Sequence, residues 1–289
     1  MEIRILRYFW TVATVGTFSK AAELLYITQP TLSRQIKELE ELDTQLFIRE
    51  GRKVILTEDG QFLKIKAEEI LTLESNTSRV FADRKNAELT GHLTIGALEG
   101  FTADSIAKTL RVLRNEHPKI RFSIYSGNAD EIKSRIDSGL VDVGFILEPA
   151  STEKYHVERL NIKEHWVFLT QRDNPLAQLE AVTFENLANE PLLISQRHEV
   201  RQYFAEWAKG KIEDFNIIGG FNLGFNLFPL VNEGVASAIV TEGALREGFP
   251  NIVTRPLNPD ILTQSVLAWK KNVPLSPVTR AFIKLYLYE

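Results

Sequence analysis

An α+β fold is expected of this 289-residue chain: a compact helical segment and one long helix first, then two lobes of alternating strands and helices. Three observations carry that expectation. Two short amphipathic helices, each with its own start signal, lie between Thr17 and Leu39; a proline-free stretch with an apolar seam runs from Glu58 to about Glu88; and from His92 onward β-branched and apolar runs alternate with helical periodicity. At 44% hydrophobic and this length the chain exceeds one compact core, which favours two or three domains.

In the helical segment, Gly16 ends a first helix, and the Thr17 hydroxyl is placed to accept from an otherwise unpaired amide of the next. Phe18, Ala21, Ala22 and Leu25 follow at i, i+3, i+4, i+7, and the two alanines let another helix cross closely. After Tyr26 and Ile27, Thr28 offers a second N-cap, and Pro30 falls in the first turn, where its missing amide hydrogen costs nothing. Leu32, Ile36 and Leu39 form the buried stripe of this second helix. The opposite face carries Pro30, Ser33, Arg34 and Lys37, with Gln29 and Thr31 at its leading end. Two capped helices joined this way read as a helix-turn-helix. Its outer face suits DNA, because Gln and Arg can pair with adenine and guanine edges while Ser and Lys suit phosphates.

Charge restricts how such binding can work. The chain is formally −4, and residues 1–57 carry eight Lys/Arg against seven Asp/Glu, so the helical segment is only +1. Long-range attraction to phosphate is therefore weak. Binding is expected to rest on a local patch of Arg34, Lys37, Arg49, Arg52 and Lys53, and on dimerisation, which lets two half-site contacts act together. The long helix would supply the dimer. Thr57 caps it, Glu58 and Asp59 favour its N-terminal dipole, and Leu63, Ile70, Leu73 and Val80 form a seam interrupted by Lys66 and Thr77.

Glu88-Leu89-Thr90-Gly91 breaks the pattern. Strands are expected at His92–Ala97, Ile120–Tyr125 and Val141–Ile146, with helices at Ala103–Glu116 and Ala129–Ser138 between them. A second set follows: strands near His165–Leu169, Leu192–Ser195, Phe215–Ile218, Ser237–Val240 and Ser265–Trp269, and helices near Val200–Lys209, Phe225–Asn232 and Pro277–Tyr288. Two such lobes create a cleft, and ligands in these folds bind beyond the carboxyl ends of strands.

From Met1 to Glu40 the chain resembles the LysR-type bacterial transcriptional regulators nearly position by position, including Phe18/Ala21/Ala22, Thr28-Gln29-Pro30 and Ser33-Arg34-Gln35. Leu46-Phe47 and the run Arg52, Leu56, Thr57, Gly60 look like that family's wing and the start of its linker helix. Leu39 to Asp43 looks one residue shorter than the usual segment, with Asp43 in place of a common Gly. Further on, Leu93-Thr94-Ile95-Gly96-Ala97, the Gly139-x-x-Asp142 segment and Glu233-Gly234-Val235 are similar to parts of the family's effector domain. The resemblance implies a winged helix-turn-helix (1–57), a linker and dimerisation helix (58–88) and an effector-binding domain (89–289) with the two-lobed fold of periplasmic solute-binding proteins. It also implies lobe I at about 91–160 and 267–289, lobe II at about 163–264, and chain crossings near Leu160–Lys163 and Thr263–Val266. The linker helix would pair with its mate from a second subunit, giving a homodimer or homotetramer.

By position, the resemblance places an effector pocket at Leu98, Glu99, Gly100 and Phe101, at Gly127 and Asn128, at Leu147 and Glu148, and at Ser195, Gln196, Arg197 and Asn222. Many relatives hold an effector carboxylate with a Ser or Thr after the first strand. Here Leu98 and Glu99 stand there: Glu99 is either a sign of a neutral or cationic group nearby or a solvated rim residue, while Arg197 could supply an anion contact.

Enzymatic readings find little support. There is no cysteine, which excludes disulfides and thiol chemistry, and the five histidines show no His-Glu-x-x-His spacing. Neither a Gly-x-Ser-x-Gly elbow nor a phosphate-binding P-loop is present, so no catalytic residue, metal site or cofactor is expected. No signal sequence or membrane-spanning run is found, which makes cytoplasm the default. The sequence reads as a sequence-specific DNA-binding transcriptional regulator responding to a small molecule between its lobes. The alternative is a solute-binding module or α/β enzyme carrying a helical N-terminal domain, and DNA binding by residues 1 to about 88 discriminates between them.

Overall fold

A computed structural model describes residues 1–40, 44–50, 53–83, 89–210 and 212–288. The chain forms two compact units, Met1–Ala82 and Asp83–Glu289.

The first unit contains α1 (Ile3–Val15), α2 (Phe18–Leu24), α3 (Gln29–Glu40), a hairpin of β1 (Phe47–Glu50) and β2 (Lys53–Leu56), and α4 (Glu58–Asp83). Leu6, Phe9 and Val12 of α1 pack on Ala21 and Ala22 of α2 and on Leu32, Ile36 and Leu39 of α3, so the apolar stripes read from the sequence build one core. The alanines are fully buried at the close helix crossing. Thr17 occupies the N-cap position of α2 but its side chain makes no capping bond, which corrects the role expected of its hydroxyl. The turn before α3 instead places Tyr26 in the left-handed region, φ 55°, with its side chain in solvent. The hairpin is fixed to the helices: Val54 N–H donates to Gly16 O at 3.0 Å, and Glu40 Oε1 accepts from the amides of Leu46 and Phe47 at 3.0 and 3.1 Å. The shortened turn expected at Leu39–Asp43 falls partly on residues 41–43, outside the described residues, as does Arg52.

Thr57 caps α4 as expected, its Oγ1 accepting from Gly60 N at 3.0 Å. A Cβ on Gly60 would stand 2.2 Å from Leu46 O, so only glycine lets α4 start this close to the hairpin. The expected seam needs correction. Leu63, half-buried, and Ala67, fully buried, pack on the helical core, whereas Phe62, Ile65, Ile70 and Leu73 are exposed, as is Phe81 near the end of α4. At 100° per residue the first four of these exposed residues fall within about 140° of one another, on a side that adjoins the one Leu63 and Ala67 turn to the core. The side chain of Val80, and residues 84–88 into which the long helix was expected to run, are not described.

The second unit is built on one sheet of order β4-β3-β5-β11-β6-β9-β7-β8, with β10 added to β6. Its strands are β3 (Gly91–Ala97), β4 (Ile120–Ser126), β5 (Val143–Leu147), β6 (Tyr155–Gln171), β7 (Leu192–Ser195), β8 (Ile217–Phe221), β9 (Ser237–Thr241), β10 (Ile252–Pro256) and β11 (Leu262–Lys270). Lobe I is the parallel set β4-β3-β5, with α5 (Thr102–Glu116) and α9 (Pro277–Tyr288) on one face and α6 (Ala129–Asp137) on the other. Lobe II repeats the design as β8-β7-β9 between α7 (His198–Trp207) and α8 (Leu227–Asn232). Between them run β6 and β11, paired antiparallel, which belong to both lobes: β6 pairs with β11 up to His165 and with β9 from Trp166. The expected crossings fall within these two strands.

Three strand readings differ from the sequence expectation. β6 starts ten residues earlier than His165 because its first half, HVERLNIKEH, alternates irregularly and half of it faces solvent. β10 was not expected; it pairs only with β6 and ends at Pro256, where a sheet edge tolerates proline. β8 lies slightly later than Phe215–Ile218, since Phe215 is instead buried in the core of lobe II after a short 3-10 turn.

Candidate DNA-binding face and effector cleft

The DNA-binding candidates gather on one side of α3. Gln29, Pro30, Thr31, Arg34 and Lys37 are exposed and Ser33 is half-exposed, while Leu32, Ile36 and Leu39 hold the helix to the core. Thr28 Oγ1 accepts from Thr31 N at 3.4 Å and lies 2.8 Å from the Thr31 hydroxyl, so these two threonines cap the helix start. Gln29 is preset by Ser19, whose hydroxyl donates to Gln29 Oε1 at 2.9 Å. Arg34 Nε lies 3.7 Å from Glu38 Oε1, one turn away, and Gln35 Nε2 donates to the other oxygen of Glu38 at 2.7 Å. An exposed pair of this kind holds Arg34 only weakly, so its guanidinium is free to exchange Glu38 for a base or phosphate. Lys53 opens β2 and is exposed. Glu40, whose carboxylate sets the hairpin against α3, was not singled out from the sequence; an acidic residue ending a recognition helix gave no local signal of that long-range role.

In the second unit a cavity of about 60 Å³ lies between the lobes. Of the pocket residues expected from the sequence, Leu98, Glu99, Asn128, Leu147, Glu148, Ser195, Arg197 and Asn222 line it. Gly100, Phe101, Gly127 and Gln196 stand beside it but do not line it. Gly100 and Phe101 face Glu164 instead, Phe101 N–H donating to Glu164 Oε1 at 3.0 Å, and Gln196 reaches back toward Gly220 O. Asn128 serves chiefly as the cap of α6: its Oδ1 accepts from the amides of Asp130 and Glu131 at 3.0 and 3.1 Å. Trp166, Val200, Phe221, Leu223, Gly224, Val240, Thr241 and Ala244 also line it and are not among the residues expected from the sequence. The strand-end rule used for lobe I would have found Phe221 and Thr241, which end β8 and β9.

Contacts cross the cleft at Glu99, Arg197 and Lys133. Glu99 Oε2, after β3, accepts from the amide of Gly224 in lobe II at 2.9 Å. Arg197, at the head of α7 and with its side chain only 9% exposed, donates to Asp130 Oδ2 at 3.2 Å and to Pro149 O at 3.0 Å in lobe I, with Glu199 at 3.7 Å. Burial alone would raise the Asp130 carboxyl, but Lys133 at 2.9 Å and Arg197 outweigh it and hold the group below its ordinary value. Behind the cleft, Glu164 of β6 is 1% exposed; burial pushes its carboxyl up, and its Oε2 finds no hydrogen-bond partner among the described residues. Arg197 is thus already neutralised, and the anion contact it could have offered is largely spent within the protein.

Residues 86–288 match the model of the LysR substrate binding domain, and residues 3–61 match that of the bacterial regulatory helix-turn-helix protein, lysR family. The chain belongs to the LysR family. As such it is a DNA-binding transcriptional regulator carrying a substrate-binding effector domain. This LysR protein is 30% identical to the HTH-type transcriptional activator CmpR of Synechocystis sp., over 97% of this chain and 92% of the relative. It is 27% identical to the uncharacterized HTH-type transcriptional regulator YvbU of Bacillus subtilis, over 99% and 97% of the two chains. Full-length CbnR, solved in complex with its target DNA, has the same fold, with a TM-score of 0.71 at 21% identity and 99% of each chain covered. Full-length BenM aligns at a TM-score of 0.56 and 26% identity, covering 99% of this LysR protein and 95% of BenM. No helix among the described residues is long and apolar enough to cross a membrane.

Proposed function

We propose that this LysR protein binds operator DNA as a cytoplasmic homodimer or homotetramer, reading bases through Arg34 and Gln29 and positioning phosphates through Ser33, Lys37 and Lys53. A small effector between the lobes, near Leu98, Glu99, Leu147, Ser195, Arg197 and Asn222, shifts the balance between DNA-bound states. The observation that carries the reading is the pairing, in one chain, of a capped helix with an outward polar face and a cleft lined from the ends of strands in both lobes. Subunit pairing is assigned to the exposed stripe of α4, and Arg52 belongs to the same basic patch by sequence. No catalytic step is part of the reading, in keeping with the regulators to which the chain is similar.

The test is binding of the purified protein to the DNA upstream of its own gene, with and without a panel of metabolites. Salt-dependent binding to one segment over unrelated DNA, altered by a compound, is the expected result. Equal affinity for all DNA at a fixed salt concentration would overturn sequence-specific recognition.

A further inference from the structure

Among the charged side chains that line the cavity, Glu148 and Arg197 are ion-paired and Glu99, among the described residues, is not. Arg197 and Lys133 face Asp130 and Glu199, with Arg197 reaching both acids and Lys133 lying 2.9 Å from Asp130 and 4.0 Å from Glu199. Glu148 Oε1 takes both Nε and the terminal amino group of Arg159 at 3.3 Å. Glu99 has no Lys, Arg or His nitrogen within 4.0 Å among the described residues; its one hydrogen bond is the Gly224 amide on Oε2, which leaves Oε1 open. Arg111 and Arg114, which line the neighbouring groove on α5 with Glu99, do not reach it, and Arg114 is turned to Ile120 O at 3.1 Å. Leu98, Trp166, Phe221, Leu223 and Val240 give the cavity wall a large apolar share.

Building on the effector cleft proposed above, we infer that its ligand is a small organic cation, a primary ammonium on a short apolar body, whose charge is taken by the open oxygen of Glu99. Three properties of the cavity converge on this class. An anion would meet an uncompensated carboxylate, with the nearest lining cation, Arg197, already held by Asp130 and Glu199. A neutral polar molecule would leave that carboxylate without a counter-charge in a wall that is mostly apolar. The cavity, about 60 Å³, is narrow and suits a compact ligand. The Asn222 side chain and the Ser195 hydroxyl supply acceptors for further N–H groups, and Trp166 and Phe221 are aromatic members of the wall.

Propylammonium, 1-propanol and propionate are matched in size and differ in charge. Titration calorimetry of the full chain with each, at pH 7 and constant ionic strength, is expected to give propylammonium at least 10-fold tighter than propanol, and propionate weaker than either. Glu99→Gln keeps an acceptor for Gly224 N–H and is expected to bring propylammonium within about 3-fold of propanol, with the melting temperature unchanged. Ala244→Phe, which fills the cavity, is expected to remove binding of all three. Propionate binding tighter than propylammonium, or a Glu99→Gln variant that keeps the full preference, or no propylammonium binding, overturns the inference. Propionate binding that Ala244→Phe abolishes would reject the cation while leaving the cleft as the effector site. Binding indifferent to Ala244→Phe in a folded variant would reject the cleft itself.

Discussion

Arg34 and Lys37 stand three residues apart on the same helix face and are assigned different work, which makes them separable by experiment. Arg34→Ala is expected to cost about 1 to 3 kcal/mol of operator binding and to relax preference at one base pair, whereas Lys37→Ala weakens all sequences alike and lowers the salt slope by about one. A site-library selection read at two salt concentrations separates these outcomes, and identical base preferences for wild type and Arg34→Ala would remove Arg34 from base reading. A second residue-scale effect concerns Asp142, which precedes β5 and accepts from Thr94 N at 2.7 Å while its own amide donates to Thr94 O at 2.9 Å. Burial raises its carboxyl from 3.8 to about 6, only partly offset by the Thr94 amide. The proton is therefore held more tightly in the folded chain, so the stability it contributes is complete below about pH 4 and is lost as pH rises through about 6. Asp142→Asn, which keeps the acceptor, is expected to gain on wild type across that window, by roughly 3 kcal/mol at neutral pH. Urea denaturation at pH 4, 5, 6 and 7.5 measures it, and a constant difference across the series contradicts it. Tyr26, at φ 55° in the turn before α3, offers a third test: Tyr26→Gly should add about 1 kcal/mol of stability by removing a left-handed side-chain penalty. A lower melting temperature would mean that the exposed ring contributes contacts outweighing that penalty.

At the scale of elements, α4 presents two apolar faces, one held by its own domain through Leu63 and Ala67 and one open through Phe62, Ile65, Ile70 and Leu73. Ile70→Asp with Leu73→Asp is expected to lower the oligomeric mass and abolish operator binding, because carboxylates buried in a subunit contact lack partners. Sedimentation of the double variant at the wild-type mass would place the subunit contact elsewhere. The same helix shows where sequence periodicity is informative and where it stops. Its existence, its Thr57 cap and its exposed positions Ile70 and Leu73 were legible, but a helix with apolar residues on two sides gives no pattern that says which side faces home, and Leu63 was misassigned for that reason. The helices α2 and α3, with one stripe each, were read to within a residue or two. β6 was half-read because a strand shared between two lobes changes its buried face along its length, and β10 was missed because an edge strand ending in proline carries little alternation. In the cleft, the positions after β3, β5 and β7 that line the cavity are ones the family resemblance placed there. The pairing of Arg197 with Asp130, some 67 residues apart, depends on tertiary geometry that no local pattern encodes.

For the whole molecule, the effector response is expected to depend on residues that face both lobes. Asn222→Ala should reduce the change in DNA affinity on effector binding while leaving effector-free affinity nearly unchanged, since Asn222 lies in the second unit, outside the DNA-binding face. Asn128 is a poorer probe, because removing the cap of α6 costs about 1 kcal/mol of stability on its own. Fluorescence anisotropy on operator DNA with and without effector tests this, and an Asn222→Ala variant with a full response would take that residue out of the cleft's recognition. The ligand can shift the regulator only by its difference in affinity between states, so a swing from about 1:99 to 99:1 requires about 5.5 kcal/mol.

The route of the chain through β6 and β11 also sets an order for biosynthesis. Lobe I draws its strands from residues before Tyr155, yet its core includes Leu267 of β11 and Val278, Phe282 and Ile283 of α9. Lobe II, from β7 to β10, is complete while those last residues are still inside the ribosome. The earlier-made lobe, covered on that face by α5 alone, therefore lacks its second helix until the later-made lobe has emerged and α9 follows it. Removing residues 277–289 would hold the protein in that condition permanently, with one finished lobe and one whose apolar strands are open to chaperones, proteases and aggregation.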